Sequence, residues 1–375
     1  MNARALVSWT EADETCSAWW RSERGAPPPQ RVLVADDRIT ADAAYRLACE
    51  GTAMLWRGDF QNARQLLHAL ARRAERKPST HAAVAPAQAF HLHRQAQSQR
   101  ARTLGMLLIP FADDYVVPLR RAPDVRPACA DAYGPAEGPF VVSLQELLGV
   151  VGAHEWRKHG VEIAALGDRI HPHYRVFAPT RGEYVNLVAA APLPSNLSLA
   201  FDIGTGTGVL AAVLARRGIA RIVATDCEPR ALACARENIA RLEMNDRVEV
   251  VHADLFPEGR AGLVVCNPPW IPARPSSALE HAIYDPGCRM LLGFLGGLAA
   301  HLEAGGEGWL VLSDLAEHLG LRSRADLLAA FDAAGLKVVD RIEARPNHPR
   351  ASDAADPLHA ARAAELTSLW RLVVD

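Results

Sequence analysis

Apolar residues recur along this chain in two rhythms, and the change from one to the other falls near Gly182. Before it, helical spacing dominates. Thr40 stands at a cap position ahead of Ala44, Leu47 and Ala48, and Asp59 does the same ahead of Leu66, Leu67 and Leu70. Ser143 and Glu146 form a capping-box pair in front of Leu147, Leu148 and Val151, which predicts a helix running to about Gly160. Two apolar runs between Met106 and Leu119 flank Asp113 and Asp114 and predict a hairpin. Residues 1–165 therefore read as a mixed α+β region, mainly helical.

After Gly182, short β-branched runs alternate with amphipathic helices, the pattern of a parallel sheet with helices on its faces. Strands are predicted over 197–203, 221–225, 248–252, 262–266, 308–312, 336–339 and 369–374. Val209, Leu210, Val213 and Leu214 make one helical stripe between the first two, and Leu232, Ala235, Ile239 and Leu242 make another between the next two. Asp285-Pro286 opens a helix to about Leu302; Ser323 opens one through Leu327, Leu328 and Phe331 that Gly335 closes. Seven strands in this order predict an open α/β sheet. The stretches Ala26–Pro29, Pro78–Pro86 and Arg345–Pro357 read as loops or linkers. The expected division is 1–165, a connecting segment with its first helix at 166–196, and 197–375.

At 375 residues, 49% apolar and 22% charged, the composition is globular rather than disordered or collagen-like. Basic and acidic side chains nearly balance, 41 against 43, so no global charge pulls the chain toward nucleic acid. Only 3 of the basic residues are Lys, a skew to which we attach no functional weight. Charges at Arg4, Glu11, Asp13 and Glu14 break any signal-peptide core, and Met290 to Ala300 is too short to span a bilayer. The expectation is a soluble cytoplasmic protein with no membrane partner. The 7 cysteines include no C-x-x-C pair, and His91/His93 and His171/His173 lack a Cys or carboxylate at ligand spacing. Neither a disulfide framework nor a metal site is indicated.

The segment Asp202 to Gly208, DIGTGTG, lies between a predicted strand and helix, where glycines permit a tight turn and close approach of a ligand. Asp226 ends the next strand, suitably placed to accept both hydroxyl hydrogens of a ribose, and Asp254 follows the third, where a carboxylate suits an exocyclic adenine amine. Singly, each is as well read as a turn or a helix cap; together they occupy successive strand ends. A dinucleotide fingerprint needs G-x-G-x-x-G, but position 209 is Val, which disfavours a nicotinamide oxidoreductase, and no G-K-[ST] follows to make a P-loop. The D-x-G-x-G-x-G spacing, with Asp226 and Asp254 in register, resembles the S-adenosylmethionine-dependent methyltransferases of the Rossmann-like class. The resemblance covers about Phe177 to the C-terminus and implies a seven-stranded sheet with an antiparallel final strand, for which 368–374 is the candidate.

Directly after the fourth strand comes Asn267-Pro268-Pro269-Trp270. An amide or aromatic amine is a poor nucleophile because its lone pair is delocalised, so a catalyst must orient the NH2 group. The Asn267 side-chain oxygen and a carbonyl of the Pro268-Pro269 segment are two acceptors able to do this. Neither proline has an N–H and both fix φ, so the turn is stiff. Acceptors already in place stabilise positive charge developing on nitrogen, and Trp270 offers a face for a planar group. The plainer alternative is a rigid turn ending a strand.

This tetrapeptide resembles the N-P-P-aromatic motif of methyltransferases that act on planar NH2 groups. Phe177 to Tyr184, FAPTRGEY, resembles the segment joining the recognition and catalytic domains in HemK-type glutamine methyltransferases, although Thr180 and Glu183 also fit a capping box. Asp254-Leu255-Phe256 and Asp285-Pro286 resemble that family too; Trp270, where it usually has Tyr, and the longer N-terminal region depart from it. The resemblance implies S-adenosylmethionine as cofactor, held by Asp202, Ile203, Gly204, Thr205, Gly206, Thr207, Gly208, Asp226, Cys227, Asp254, Leu255 and Asn267. It implies Asn267, Pro268, Pro269 and Trp270 as catalytic residues, with Phe177, Pro179, Asn267, Pro268 and Trp270 against the substrate. The expected acceptor is a glutamine amide in a translation factor or ribosomal protein; the alternative is an exocyclic amine of adenine or guanine in RNA or DNA. From Arg64 to Arg102 stand 8 basic residues and one acid, Glu75, a stretch suited either to RNA phosphates or to a solvated helix face.

Overall fold

The computed structural model describes residues 5–75, 84–275, 279–346, 353 and 356–375. They form two compact units, Met1–Val84 with His91–Glu155, and Ala85–Phe90 with Trp156–Asp375. Most of the predicted linkers Pro78–Pro86 and Arg345–Pro357 lie outside the described residues.

In the first unit, β1 (Leu6–Glu11) and β2 (Glu14–Trp20) pair antiparallel. Ala12 and Asp13 join them with φ of 49° and 67°, the positive pair that matches strand twist in a two-residue hairpin turn. With β3 (Arg31–Ala35), β4 (Thr52–Trp56), β5 (Leu107–Phe111) and β6 (Phe140–Ser143) they make one mixed sheet in the order β1-β2-β6-β5-β4-β3. The helices of this half are α1 (Ala41–Cys49), α2 (Phe60–Ala74), α3 (Pro86–Leu104), α4 (Arg126–Tyr133) and α5 (Leu144–His159). α3 and α5 contribute residues to both units. Thr40 and Asp59 cap α1 and α2 as predicted, accepting from the N–H groups of Ala43 and Gln61 at 3.3 and 2.9 Å. Ser143 accepts from Glu146 N–H at 3.1 Å, but the Glu146 carboxylate accepts from Glu23 N–H instead of returning to the cap, so that box is half formed.

One expectation for this half needs correction. Met106 to Leu119 is no hairpin: β5 already has β4 on one side and β6 on the other. The chain then turns tightly through Asp113–Tyr115, Ala112 N–H donating to the Val116 carbonyl at 2.8 Å, and Pro118 has no N–H to give a ladder. Besides its helices, this half holds a full six-stranded sheet. Its strands are four to seven residues long, too short for alternation to stand out.

The second unit opens with a small antiparallel pair, β7 (Val161–Ile163) and β8 (Asp168–Ile170), and then α6 (Gly182–Ala190). The Rossmann-like alternation follows through β9 (Leu199–Ile203), α7 (Val209–Arg216), β10 (Arg221–Asp226), α8 (Pro229–Arg241), β11 (Val248–His252) and β12 (Ala261–Cys266). It continues through α9 (Arg289–His301), β13 (Leu302–Ser313), α10 (Leu315–His318), α11 (Arg324–Ala333), β14 (Leu336–Ala344), α12 (His359–Ala364) and β15 (Thr367–Val374). The seven strands stand in the order β11-β10-β9-β12-β13-β15-β14. β15, antiparallel to both neighbours, is the reversed final strand that the sequence implied. β12 is buried at every residue and β9 at all but Leu199, as strands covered on both faces must be. One apolar layer gathers Leu210, Leu214, Ile222 and Trp309, the other Phe201, Phe294, Leu310 and Phe331.

Two helix starts differ from the sequence reading. Asp285-Pro286 leads into a short 3-10 turn, Pro286–Cys288, before α9; the Asp285 carboxylate still caps, accepting from the N–H groups of Met290 and Leu291 at 3.0 and 3.1 Å. Thr180 does not cap α6: Arg181 is the first residue outside the helix, and Glu183 spends its carboxylate on the Arg181 guanidinium at 2.6 Å.

Candidate active site

Strand register decides what meets at the sheet edge. Ile203 pairs with Thr225 on one side and Cys266 on the other, so Gly204, Asp226 and Asn267 leave three adjacent parallel strands at one level. Open α/β sheets bind ligands beyond these carboxyl ends.

The loop from Gly204 to Gly208 is held from below. Asp202 is wholly buried, and its Oδ2 accepts from Thr205 Oγ1 at 2.6 Å and from Ala211 N–H at 3.0 Å. Burial lifts its carboxyl to about 6, against the lowering effect of those two donors. Thr205 and Thr207 are buried as well, Thr207 giving its carbonyl to Asn238 Nδ2 at 3.1 Å. Gly208 has φ +82°, and an added Cβ would stand 3.3 Å from Ala235 Cα, so both conformation and helix packing require glycine there. Gly206, at φ +56°, has no heavy atom within 4 Å of where a Cβ would stand, so the space above its backbone is open.

Asp226 closes the loop from the side. Its Oδ2 accepts from Gly206 N–H at 3.0 Å and its Oδ1 from Glu228 N–H at 2.9 Å, while burial pushes its carboxyl up. Each oxygen keeps a second lone pair for a ligand hydroxyl. Cys227 beside it is exposed. Asp254 lies further out on the rim, paired with Arg289 at 2.6 Å. Leu255 takes φ +78°, rare for a bulky residue, and its carbonyl accepts from Thr225 Oγ1 at 2.6 Å. An open glycine backbone beside a carboxylate with spare acceptor capacity fits a ribose-bearing cofactor such as S-adenosylmethionine.

At the end of β12, Pro268 is buried and Asn267, Pro269 and Trp270 are partly exposed. Trp270 Nε1 donates to Asn267 Oδ1 at 2.8 Å, so the amide oxygen, not its NH2, faces the indole. Trp270 packs against three apolar clusters of this unit. Phe177 is partly buried and Pro179 buried in the segment before α6, but the residue of that segment lying on Trp270 is Arg181, its guanidinium carbon 4.9 Å from the ring centroid. Arg181, Arg289 and Glu365 escaped the sequence reading. An arginine or glutamate beside a motif leaves no pattern until the fold shows what it touches.

Residues 170–333 match the family model described as the methyltransferase small domain. Two proteins named release factor glutamine methyltransferase are similar to this chain. The one from Caulobacter vibrioides is 36% identical over 40% of this chain and 54% of its own length. The one from Cereibacter sphaeroides is 35% identical over 44% of this chain and 63% of its own length. A protein from Vibrio campbellii named tRNA1(Val) (adenine(37)-N6)-methyltransferase is 35% identical over 30% of this chain and 50% of its own length. The chain thus spans between half and two thirds of the length of these relatives. Over residues 170–333, this chain is therefore similar to the methyltransferase small domain family.

Proposed function

We propose that this chain is an S-adenosylmethionine-dependent N-methyltransferase acting on a planar NH2 group, a protein glutamine amide in a translation factor or ribosomal protein, and that it works in the cytoplasm. The observation that carries this reading is the register placing Gly204, Asp226 and Asn267 at one sheet edge. S-adenosylmethionine, when bound, supplies a methyl group on a positively charged sulfur. The open backbone at Gly206 and the Asp226 carboxylate hold the adenosine part, with Asp254 on the rim. Asn267 Oδ1 and a carbonyl of the Pro268-Pro269 segment accept the two hydrogens of the target NH2, turning its lone pair toward the methyl. Positive charge growing on that nitrogen is met by acceptors already fixed, so no strong base is needed before the proton leaves.

We assign the transfer to 197–375 and choice of acceptor to 1–165. The protein reading is supported by the two glutamine methyltransferase relatives and by the Phe177–Tyr184 segment. A second reading, transfer to an adenine or guanine amine in RNA or DNA, is supported by the tRNA methyltransferase relative and by Trp270. Incubation with tritiated S-adenosylmethionine and fractionated lysate, followed by protease or nuclease, decides between them. Protease-sensitive, RNase-resistant label is the expected result; label released by nuclease overturns the choice of acceptor.

A further inference from the structure

Trp270 and Asn267 form a pair with a consequence for the oxygen that must receive the substrate. A carboxamide rotated by half a turn would present NH2 where its oxygen is needed, and would repel an incoming amine hydrogen. The Trp270 indole has only a donor, so its bond at 2.8 Å admits only the oxygen of Asn267 on that side. An amide oxygen accepts two hydrogen bonds, so this contact fixes the orientation and leaves one lone pair for the target.

The indole is itself held. Arg181, 18% exposed, lies over the Trp270 ring. Two buried carboxylates fix the guanidinium: Glu183 of α6 accepts from Nε at 2.6 Å, and Glu365, just ahead of β15, accepts from Nη2 at 3.0 Å. Glu365 also accepts from Ser313 Oγ at 2.6 Å, and Ser313 Oγ accepts from Leu315 N–H at 3.0 Å, so the clamp reaches the end of β13 and the start of α10. A planar guanidinium suits this place because it can bind two carboxylates through its edge while its face lies on a ring.

We propose that Arg181 is a positioning residue for the methyl transfer: held by Glu183 and Glu365, it sets the plane of Trp270, whose indole N–H orients the Asn267 carboxamide with its oxygen toward the target nitrogen. The inference rests on the reaction proposed above. Removing the stack leaves the ring held by its apolar neighbours alone, the indole bond loosens, and Asn267 spends time in the unproductive orientation. Cofactor binding, which uses the Gly204–Gly208 loop and Asp226, is untouched.

The test reads the Trp270 indole by 15N NMR on the full chain, the signal being assigned by its loss in Trp270→Phe. Arg181→Met strands two buried carboxylates, so Arg181→Met with Glu183→Gln and Glu365→Gln is measured beside it. In both, the indole signal should move and its hydrogen should exchange faster with solvent. Tritiated methyl incorporation into the acceptor fraction should fall by roughly tenfold or more, the scale of a misplaced group at a reacting centre, while the Kd for S-adenosylmethionine stays unchanged. An indole signal with wild-type position and protection in the triple variant overturns the role of Arg181. Because that reading needs no substrate, it stands apart from the reaction: absence of methyl transfer by the wild-type protein refutes the proposed function and leaves the indole signal to decide the Arg181–Trp270 link.

Discussion

Asp202 and Asp226 stand at neighbouring strand ends, and burial acts on both in the same direction. For Asp202 the carboxyl rises from 3.8 to about 6. Between those values the folded chain keeps a proton that the unfolded chain has released. The stability this group contributes is therefore full below about pH 4 and lost above about pH 6, a change on the order of 3 kcal/mol. Asp202→Asn, which can still accept from Thr205 and Ala211, should flatten that part of the curve of unfolding free energy against pH. Urea denaturation across the window measures it, and a mutant slope equal to wild type would clear Asp202 of the effect. Asp226 faces the ligand side, so Asp226→Ala should weaken S-adenosylmethionine binding by about 1.5 to 3 kcal/mol, since ionised acceptors make the stronger hydrogen bonds. Calorimetry giving an unchanged affinity would remove it from the site.

Elements of the parallel sheet were easy to read because each is a short apolar run closed by a residue with one dominant role: Asp202 and Asp226 at strand ends, Ser323 as a capping box, Gly335 past a helix. The first unit gave less away. Its β1 alternates exposed and inward positions, Leu6 outward and Val7 inward, while carrying Ser8, Trp9 and Thr10, and nothing in such a stretch fixes a partner. β5 was legible as apolar but not as central, since pairing with β4 and β6 is set by chain far away. In the site, types and order were visible, whereas the Trp270–Asn267 bond and the Arg181 clamp depend on side-chain direction that spacing does not encode. Gly208→Ala tests the loop-to-helix junction: forcing a Cβ at φ +82° against Ala235 should cost about 1–2 kcal/mol or more of stability, read as a lowered urea midpoint. An unaltered midpoint would show that the junction yields.

Fold and specificity separate when a site is grafted on a widely used sheet, and here the chain divides into two units, one of which carries the whole candidate site. No helix among the described residues is long and apolar enough to cross a membrane. In the basic stretch of the other unit, Arg73 pairs with Asp42 at 2.8 Å and Arg100 with Glu75 at 2.6 Å. Replacing Arg72, Arg73, Arg76 and Arg100 by Gln, Arg76 lying outside the described residues, should leave methyl transfer at moderate salt unchanged. Weaker acceptor binding with a salt slope reduced by about one per lost contact would point to phosphate instead.

In the proposed reaction the methyl transfer depends on Asn267, at the sheet edge it shares with Asp226. This dependence is tested most directly by comparing wild type and Asn267→Ala, both saturated with tritiated S-adenosylmethionine, for methyl transfer into the acceptor fraction. The expected result is a rate lower by roughly a hundredfold or more in the mutant, the loss seen when one preorganised polar group leaves a reacting centre. Equal rates in the two proteins would contradict this role of Asn267.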